Sequence, residues 1–314
     1  MRFAMALAVV LMAAAPLGAQ TNTPWGDPDL QGIWTNQTPV GLERPPALRD
    51  KATFSDTEAA AVEKNALQGI LGVVAAEVPL SGELNAIWLE TQKGRVPPGR
   101  HTSLIVDPPD GRIPYTPEGR ARWNTVPSLE AIIVQGGLPA NGPEDRALEE
   151  RCLTSGGLVM PNPFYNNLHQ IVQTRGYVAI VSETWHETRV IPIDGPPHVG
   201  DAVRAWEGDS RGHWEGRTLV VDTTNFNDKR RFRGATRNMT LVERFTRVDS
   251  ETISYHATIA DPATFSTPWT IENALRKADG QIYESACHEG NYGLAGILSG
   301  ARAEEQRYPL NTTR

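Results

Sequence analysis

The chain has 314 residues, a formal net charge of −7 and 21% charged residues. Basic residues crowd together only in "DKRRFR" (228–233), so no broad cationic face is implied and nucleic acid is not expected as a partner. The 28 glycines and 24 prolines point to many turns and irregular connections and away from a helical bundle.

The chain opens with "MRFAMALAVVLMAAAPLGAQ": one basic residue, an apolar run and a small-residue exit. This is the pattern of a secretory signal peptide over residues 1–19, cleaved after Ala19. The run is short for a bilayer and no stop-transfer pattern follows, so no membrane span is expected. The leader implies a periplasmic or secreted location, with one structural domain from residue 20 onward. Within it, residues 20–164 are expected to form an arm, helices and a first hairpin packed on a core of residues 165–314.

A proline-punctuated entry segment carries one short strand near Gly32–Thr35. In "FSDTEAAAVEKNALQGILG", Ser55 and Glu58 have the spacing of a capping box and predict a helix. "TSLIVDPPDGRIPYT" predicts a hairpin turning through "DPPDG". "TPEGRARW" predicts a second helix capped by Thr116 with Pro117 in its first turn. "GPEDRALEERCL" predicts a third.

From about residue 165 the texture changes to strands joined by short turns. Hairpins are predicted about Arg175–Gly176, Glu215–Gly216, Asp249–Ser250 and Asp279–Gly280. There is no βαβ alternation and no phosphate-binding glycine loop. The expected fold is therefore mainly β: an antiparallel β-barrel or strongly curled sheet, lipocalin- or calycin-like, with an N-terminal arm and a few short helices.

Strand alternation places acids on half-apolar faces. Glu183 shares a face with Tyr177, Val181 and Trp185; Glu243 sits between Leu241 and Phe245; Asp222 lies between Val220 and Thr224; Glu284 shares a face with Ile282 and His288. A buried carboxylate needs a partner or a shifted pKa, so these residues either rim the sheet or line one cavity together. In the cavity reading Glu183 or His186 removes a proton, with Glu243 and Asp222 as further acids and Tyr255 as proton donor or relay. Arg189 or Arg244 holds an anionic group, and Trp185, Trp214, Trp269, His169 and His288 complete a substrate pocket. Strand parity separates Glu183 from His186, so both serve one site only if the strand bulges or ends near Trp185.

None of the seven histidines falls in a metal-ligating spacing, and no metal or cofactor is expected. The two cysteines, Cys152 and Cys287, are read first as a disulfide in an oxidising compartment; a catalytic thiol is the minority reading.

The pieces "PDLQGIWTN", "TSLIVDPPDGRIP", "NNLHQIVQT", "IPIDGPPH", "GDSRGHWEGRTLVVDTTNF", "LVERFTRVDSETISYH" and "ACHEGNYG" resemble a family of largely uncharacterised exported bacterial proteins, and they run through most of the mature chain. "GIW" followed by sequential hairpins is similar to lipocalin-type barrels. Cofactor-free lyases on small β-rich scaffolds act in bacterial pathways for lignin-derived aromatics. The expected function is such a lyase, or an isomerase: an elimination, C–C cleavage or isomerisation, for example formaldehyde release from a phenylcoumaran-type dimer, on a small amphiphilic aromatic compound. The competing expectation is a non-enzymatic, lipocalin-like small-molecule carrier. A homo-oligomer is compatible with either.

Overall fold

The computed structural model describes residues 22–65, 94–128, 138–154, 160, 167–229 and 232–307. The expected signal peptide lies outside these residues. Ten strands form one antiparallel sheet: β1 (Gly32–Thr35), β2 (Ile105–Asp107), β3 (Leu168–Thr174), β4 (Tyr177–Ser182), β5 (Thr188–Pro192), β6 (Asp209–Glu215), β7 (Thr218–Thr224), β8 (Thr240–Arg247), β9 (Thr252–Ala260) and β10 (Trp269–Lys277). Nine of them run in the order β5-β4-β3-β1-β10-β9-β8-β7-β6. The two outer strands then approach each other. Ile193, just past β5, forms a parallel bridge to Gly212 of β6, and the Asp194 N–H donates to the Gly212 carbonyl at 2.9 Å. The sheet thus curls into a nearly closed barrel, which leaves little free strand edge.

The sequential hairpins build most of this wall. β3 and β4 turn at Arg175–Gly176, and β6 and β7 turn at Gly216–Arg217, one residue later than the sequence suggests. Gly216 has φ +60°, a conformation that costs a glycine nothing in a two-residue turn. The barrel is not confined to residues 165–314, however. β1, from the expected arm, is inserted between β3 and β10, with Trp34 opposite both His169 and Lys277. β2 pairs with the other half of β10.

Two expected hairpins are absent. β2 ends at Asp107 and "DPPDG" leads to no return strand; β10 takes its place as partner. After β10 the chain runs without regular structure to residue 291, so Ile282, Glu284, Ala286 and His288 share no strand face. In both cases a distant strand supplies the hydrogen bonds that a local return would have made.

Among the described residues three helices lie outside the barrel: α1 (residues 56–65), α2 (Pro117–Trp123) and α3 (Tyr292–Arg307). The Ser55–Glu58 box caps α1, with the Ser55 N–H on Glu58 at 2.9 Å and the Glu58 N–H on Ser55 Oγ at 3.3 Å. Thr116 Oγ1 accepts from the Gly119 N–H at 3.0 Å to cap α2. Gly119 also permits close packing, because a Cβ there would stand 2.1 Å from the Thr264 carbonyl oxygen. The third expected helix is only a 3-10 turn, Pro143–Asp145, followed by further turns. Arg146 leaves the helical region at φ −97°, ψ 151°. Cys152 and Cys287 form a disulfide. Beside it Asn291 Nδ2 donates to the Glu150 carbonyl at 2.9 Å and Arg302 to the Asn141 carbonyl at 2.8 Å, which fastens α3 to the 140–152 loop. Among the described residues, no helix is long and apolar enough to cross a membrane.

The base of the barrel is apolar. Trp34, Val178, Ile191, Leu219, Phe245 and Ile253 are all buried there, and the segment Pro28–Leu30 plugs it. Side chains answer its backbone: the Leu30 N–H donates to Gln173 Oε1, Gln173 Nε2 to the Pro28 carbonyl, Trp34 Nε1 to the Leu30 carbonyl and Arg247 Nη1 to the Asp29 carbonyl, at 2.6–3.1 Å.

Candidate functional site

Above that base a belt of polar side chains circles the inner wall. Alternation in β4 turns Val178, Ile180 and Ser182 inward, and leaves Tyr177 52% exposed on the outer face. The bulky face of "YVAIVS" is therefore the outer one. β4 ends at Ser182, and Glu183 already has helical backbone angles (φ −60°, ψ −44°). Trp185 in the following 3-10 turn takes φ +57°. This break releases Glu183 from the outward parity, and its side chain is 9% exposed. Its carboxylate accepts from the Leu168 N–H at 3.4 Å and from the backbone of Tyr283; burial nevertheless raises its pKa.

His169 of β3 faces Ser182 across the ladder and is 4% exposed. Its Nδ1 lies 3.0 Å from Ser182 Oγ, whereas Nε2 is buried with no hydrogen-bond partner among the described residues. Burial, with a smaller contribution from the Arg189 charge, lowers its pKa to about 4, so the ring is neutral near pH 7. Arg189 enters from β5, opposite Ile180. It reaches across the lumen to β8, where it grips Glu243 through both guanidinium ends. Tyr255 of β9 donates its hydroxyl proton to Glu243 Oε1 at 2.8 Å. Burial alone would lower the Arg189 pKa, but the Glu243 carboxylate raises it overall. The pair is a charge-neutral strut, fully removed from water at Glu243.

Two asparagines that the sequence reading missed continue the belt. Asn273 is opposite Tyr255 in the β9–β10 ladder, and its Nδ2 donates to the Asn36 carbonyl at 2.9 Å. Asn36 lies two residues beyond Trp34 and is wholly buried, yet neither Oδ1 nor Nδ2 finds a partner among the described residues. Half-buried Glu207 accepts from Thr154 on Oε1, while its Oε2 is buried and unpartnered; its charge is felt by Arg189. No motif marks these residues. Only the continuation of the β1 alternation past Thr35 hints at Asn36.

Of the residues singled out from the sequence, His169, Arg189, Glu243 and Tyr255 meet inside the barrel, and Glu183 is buried beside His169's neighbour Leu168. The others do not join them. Asp222 is on the outer wall opposite Arg211, in a shallow groove of about 370 Å³ shared with His198 and His213. The β7 inward set is Leu219, Val221 and Thr223. Arg244 is also external and pairs with Glu215 at 2.6 Å. His288 is exposed in the segment after β10. Trp269 is core, 6.4 Å from Phe232 and 5.6 Å from Phe265 between ring centres. Trp214 points inward from β6 and is half-buried; Trp185 stays in the β4–β5 connection. The His186 side chain lies outside the described residues. Among those residues no group of three His, Cys, Asp or Glu side chains is placed to hold a metal ion.

No family model and no curated protein matches the chain. Among solved structures, a secretary abundant heat soluble protein from Ramazzottius varieornatus is similar over 35% of this chain and 70% of its own, at 8% identity and a TM-score of 0.24. The barrel assignment rests on the strand pairing itself.

Proposed function

We propose that the protein binds a small amphiphilic, aromatic molecule against the polar belt and acts on it as a cofactor-independent lyase. The observation that carries this reading is His169: a buried, neutral imidazole held at one nitrogen by Ser182, with its other nitrogen unengaged among the described residues. When Nδ1–H donates to Ser182 Oγ, Nε2 offers a fixed lone pair to a ligand proton. Glu183, whose burial favours the protonated form, complements it as an acid. The apolar wall of Ala257, Ile259 and Ile271 suits an aromatic ring. The Cys152–Cys287 disulfide suits an exported protein in an oxidising compartment.

For a phenylcoumaran bearing a hydroxymethyl group, the chemistry balances without a redox partner. His169 takes the hydroxyl proton, the C–C bond to the hydroxymethyl carbon breaks, and formaldehyde leaves. The released electron pair forms the C=C bond of a stilbene and expels the ring ether oxygen, which takes a proton from Glu183. Solvent exchange restores both groups.

The second reading is a non-enzymatic carrier of the same kind of molecule. It is favoured by the Arg189–Glu243–Tyr255 chain, whose members already satisfy one another and so need take no part in chemistry on a ligand. Incubation with a phenylcoumaran dimer, followed by mass detection of stilbene and formaldehyde, separates the two. His169→Ala and Glu183→Gln each lower turnover by about 100-fold or more. Undiminished turnover in both variants removes the residue assignment. Saturable binding without product leaves the carrier.

A further inference from the structure

Asn36 is an expensive residue to keep. Its backbone is fixed on both sides, by the N–H donating to the Asn167 carbonyl at 3.2 Å and by the carbonyl accepting from Asn273 at 2.9 Å. The side chain is 0% exposed, and among the described residues neither amide atom is answered. Buried amides in native proteins are almost always hydrogen-bonded, and one that is not calls for an explanation. Asn36 directly follows β1, with the parity of Trp34, which stands opposite His169. Two unfilled polar groups, the Asn36 amide and His169 Nε2, thus come from neighbouring chain segments of the belt.

The charge balance of the belt is equally informative. Among the described residues its one buried cation is Arg189, matched by Glu243 in a two-pronged pair. Glu183 and the half-buried Glu207, whose Oε2 is unanswered among the described residues and whose charge also acts on Arg189, bring the acids of the belt to three against that one cation. A ligand carboxylate would therefore enter with no counter-charge, at the full cost of burial. It would also offer only acceptors: Nδ2 of Asn36 would be satisfied and Oδ1 would face a second oxygen. A hydroxyl both donates and accepts, and meets the two ends of the amide without introducing charge.

We propose that the belt selects an uncharged, hydroxylated head group and rejects carboxylates, with Asn36 as the residue that reads it. This rests on the belt being the binding site and replaces the expectation that Arg189 or Arg244 holds an anion. The test compares two probes on one scaffold, 4-hydroxy-3-methoxybenzyl alcohol and 4-hydroxy-3-methoxybenzoate, by titration at pH 7.5 against the mature protein. The alcohol binds at least about tenfold more tightly, the difference made by one unpaired buried polar contact. Asn36→Leu and the smaller Asn36→Ala both lose this preference. Asn36→Leu raises the melting temperature by about 2 °C or more, because an unanswered amide has been removed from the interior. Equal or tighter binding of the carboxylate overturns the selectivity while leaving the site in place. A preference that survives both variants removes Asn36 from it. Absence of binding by either probe overturns the belt as an aromatic-alcohol site. Selective binding with no turnover of the phenylcoumaran leaves this inference standing and sinks the lyase.

Discussion

The base and the belt of the barrel are built from the same strands and treat polar groups in opposite ways. At the base, Gln173, Trp34 and Arg247 bond the backbone of Pro28–Leu30, so the plug closes a largely apolar core with its carbonyls answered. At the belt, Glu243 is wholly buried with its charge met from across the lumen, while His169 Nε2 and the Asn36 amide go unanswered among the described residues. The base fits a segment whose purpose is stability. The belt retains unfilled hydrogen-bonding capacity that apolar residues of similar volume would avoid, which is the arrangement a ligand site needs. The comparison also shows where the Arg189 charge goes: although the side chain crosses the lumen, Glu243 already matches it.

The largest effect expected from breaking the belt comes from Glu243→Ala. It leaves the Arg189 guanidinium buried without a counter-charge and costs about 4 kcal/mol in urea denaturation. The double variant Arg189→Met/Glu243→Leu recovers most of that loss, since an apolar pair avoids the desolvation altogether. A single variant with near-native stability would show that water reaches the strut and that the belt is not dry.

A smaller effect comes from pH. His169 has its pKa lowered from 6.5 to about 4 in the folded protein. Between these values the unfolded chain binds a proton that the folded one refuses. The stability tied to neutral His169 is therefore complete above about pH 6.5 and is lost as pH falls toward 4, by about 3 kcal/mol. Glu183, raised by burial, acts in the opposite sense: its contribution is present below pH 4.5 and declines as pH rises through its folded value. Arg189, Glu243, Tyr255 and Glu207 also face this region. The His169 share is read as the wild-type stability minus that of His169→Gln, which shrinks on acidification; a difference flat from pH 7 to 4 would mean that the ring is solvated.

Much of the barrel could be read from alternation and turns, because most of its strands pair with their neighbours in sequence. The failures share a cause. β1, β2 and β10 find partners more than a hundred residues away, and no local pattern reports that. The same limit governs the site. Alternation correctly set Glu243 on a buried face, since it lies between apolar residues of one parity. It misassigned Asp222, because Val220 on the outer face is itself buried and mimics an inner residue. It also oriented β4 by bulk, whereas Tyr177, Ala179 and Val181 form the outer wall. Asn36 and Asn273 lack any chemical signature and become notable only when the ladders bring them beside Tyr255 and His169.

The smallest effect is the sharpest check on the contrast, and it belongs to the base. Ile171 is buried opposite Gly32 and Ile180, and Ile171→Val removes one methylene from that apolar packing. The gap is too small to admit water, so the cost is the lost contacts and transfer energy, about 1 kcal/mol. Because Ile171 is two residues from His169 on the same face, any slackening of the base would be felt first by the imidazole. If base and belt are separable, the variant melts a few degrees lower and binds 4-hydroxy-3-methoxybenzyl alcohol with unchanged affinity. An affinity that falls along with the melting temperature would mean that the packed base positions His169 and that the two regions act as one.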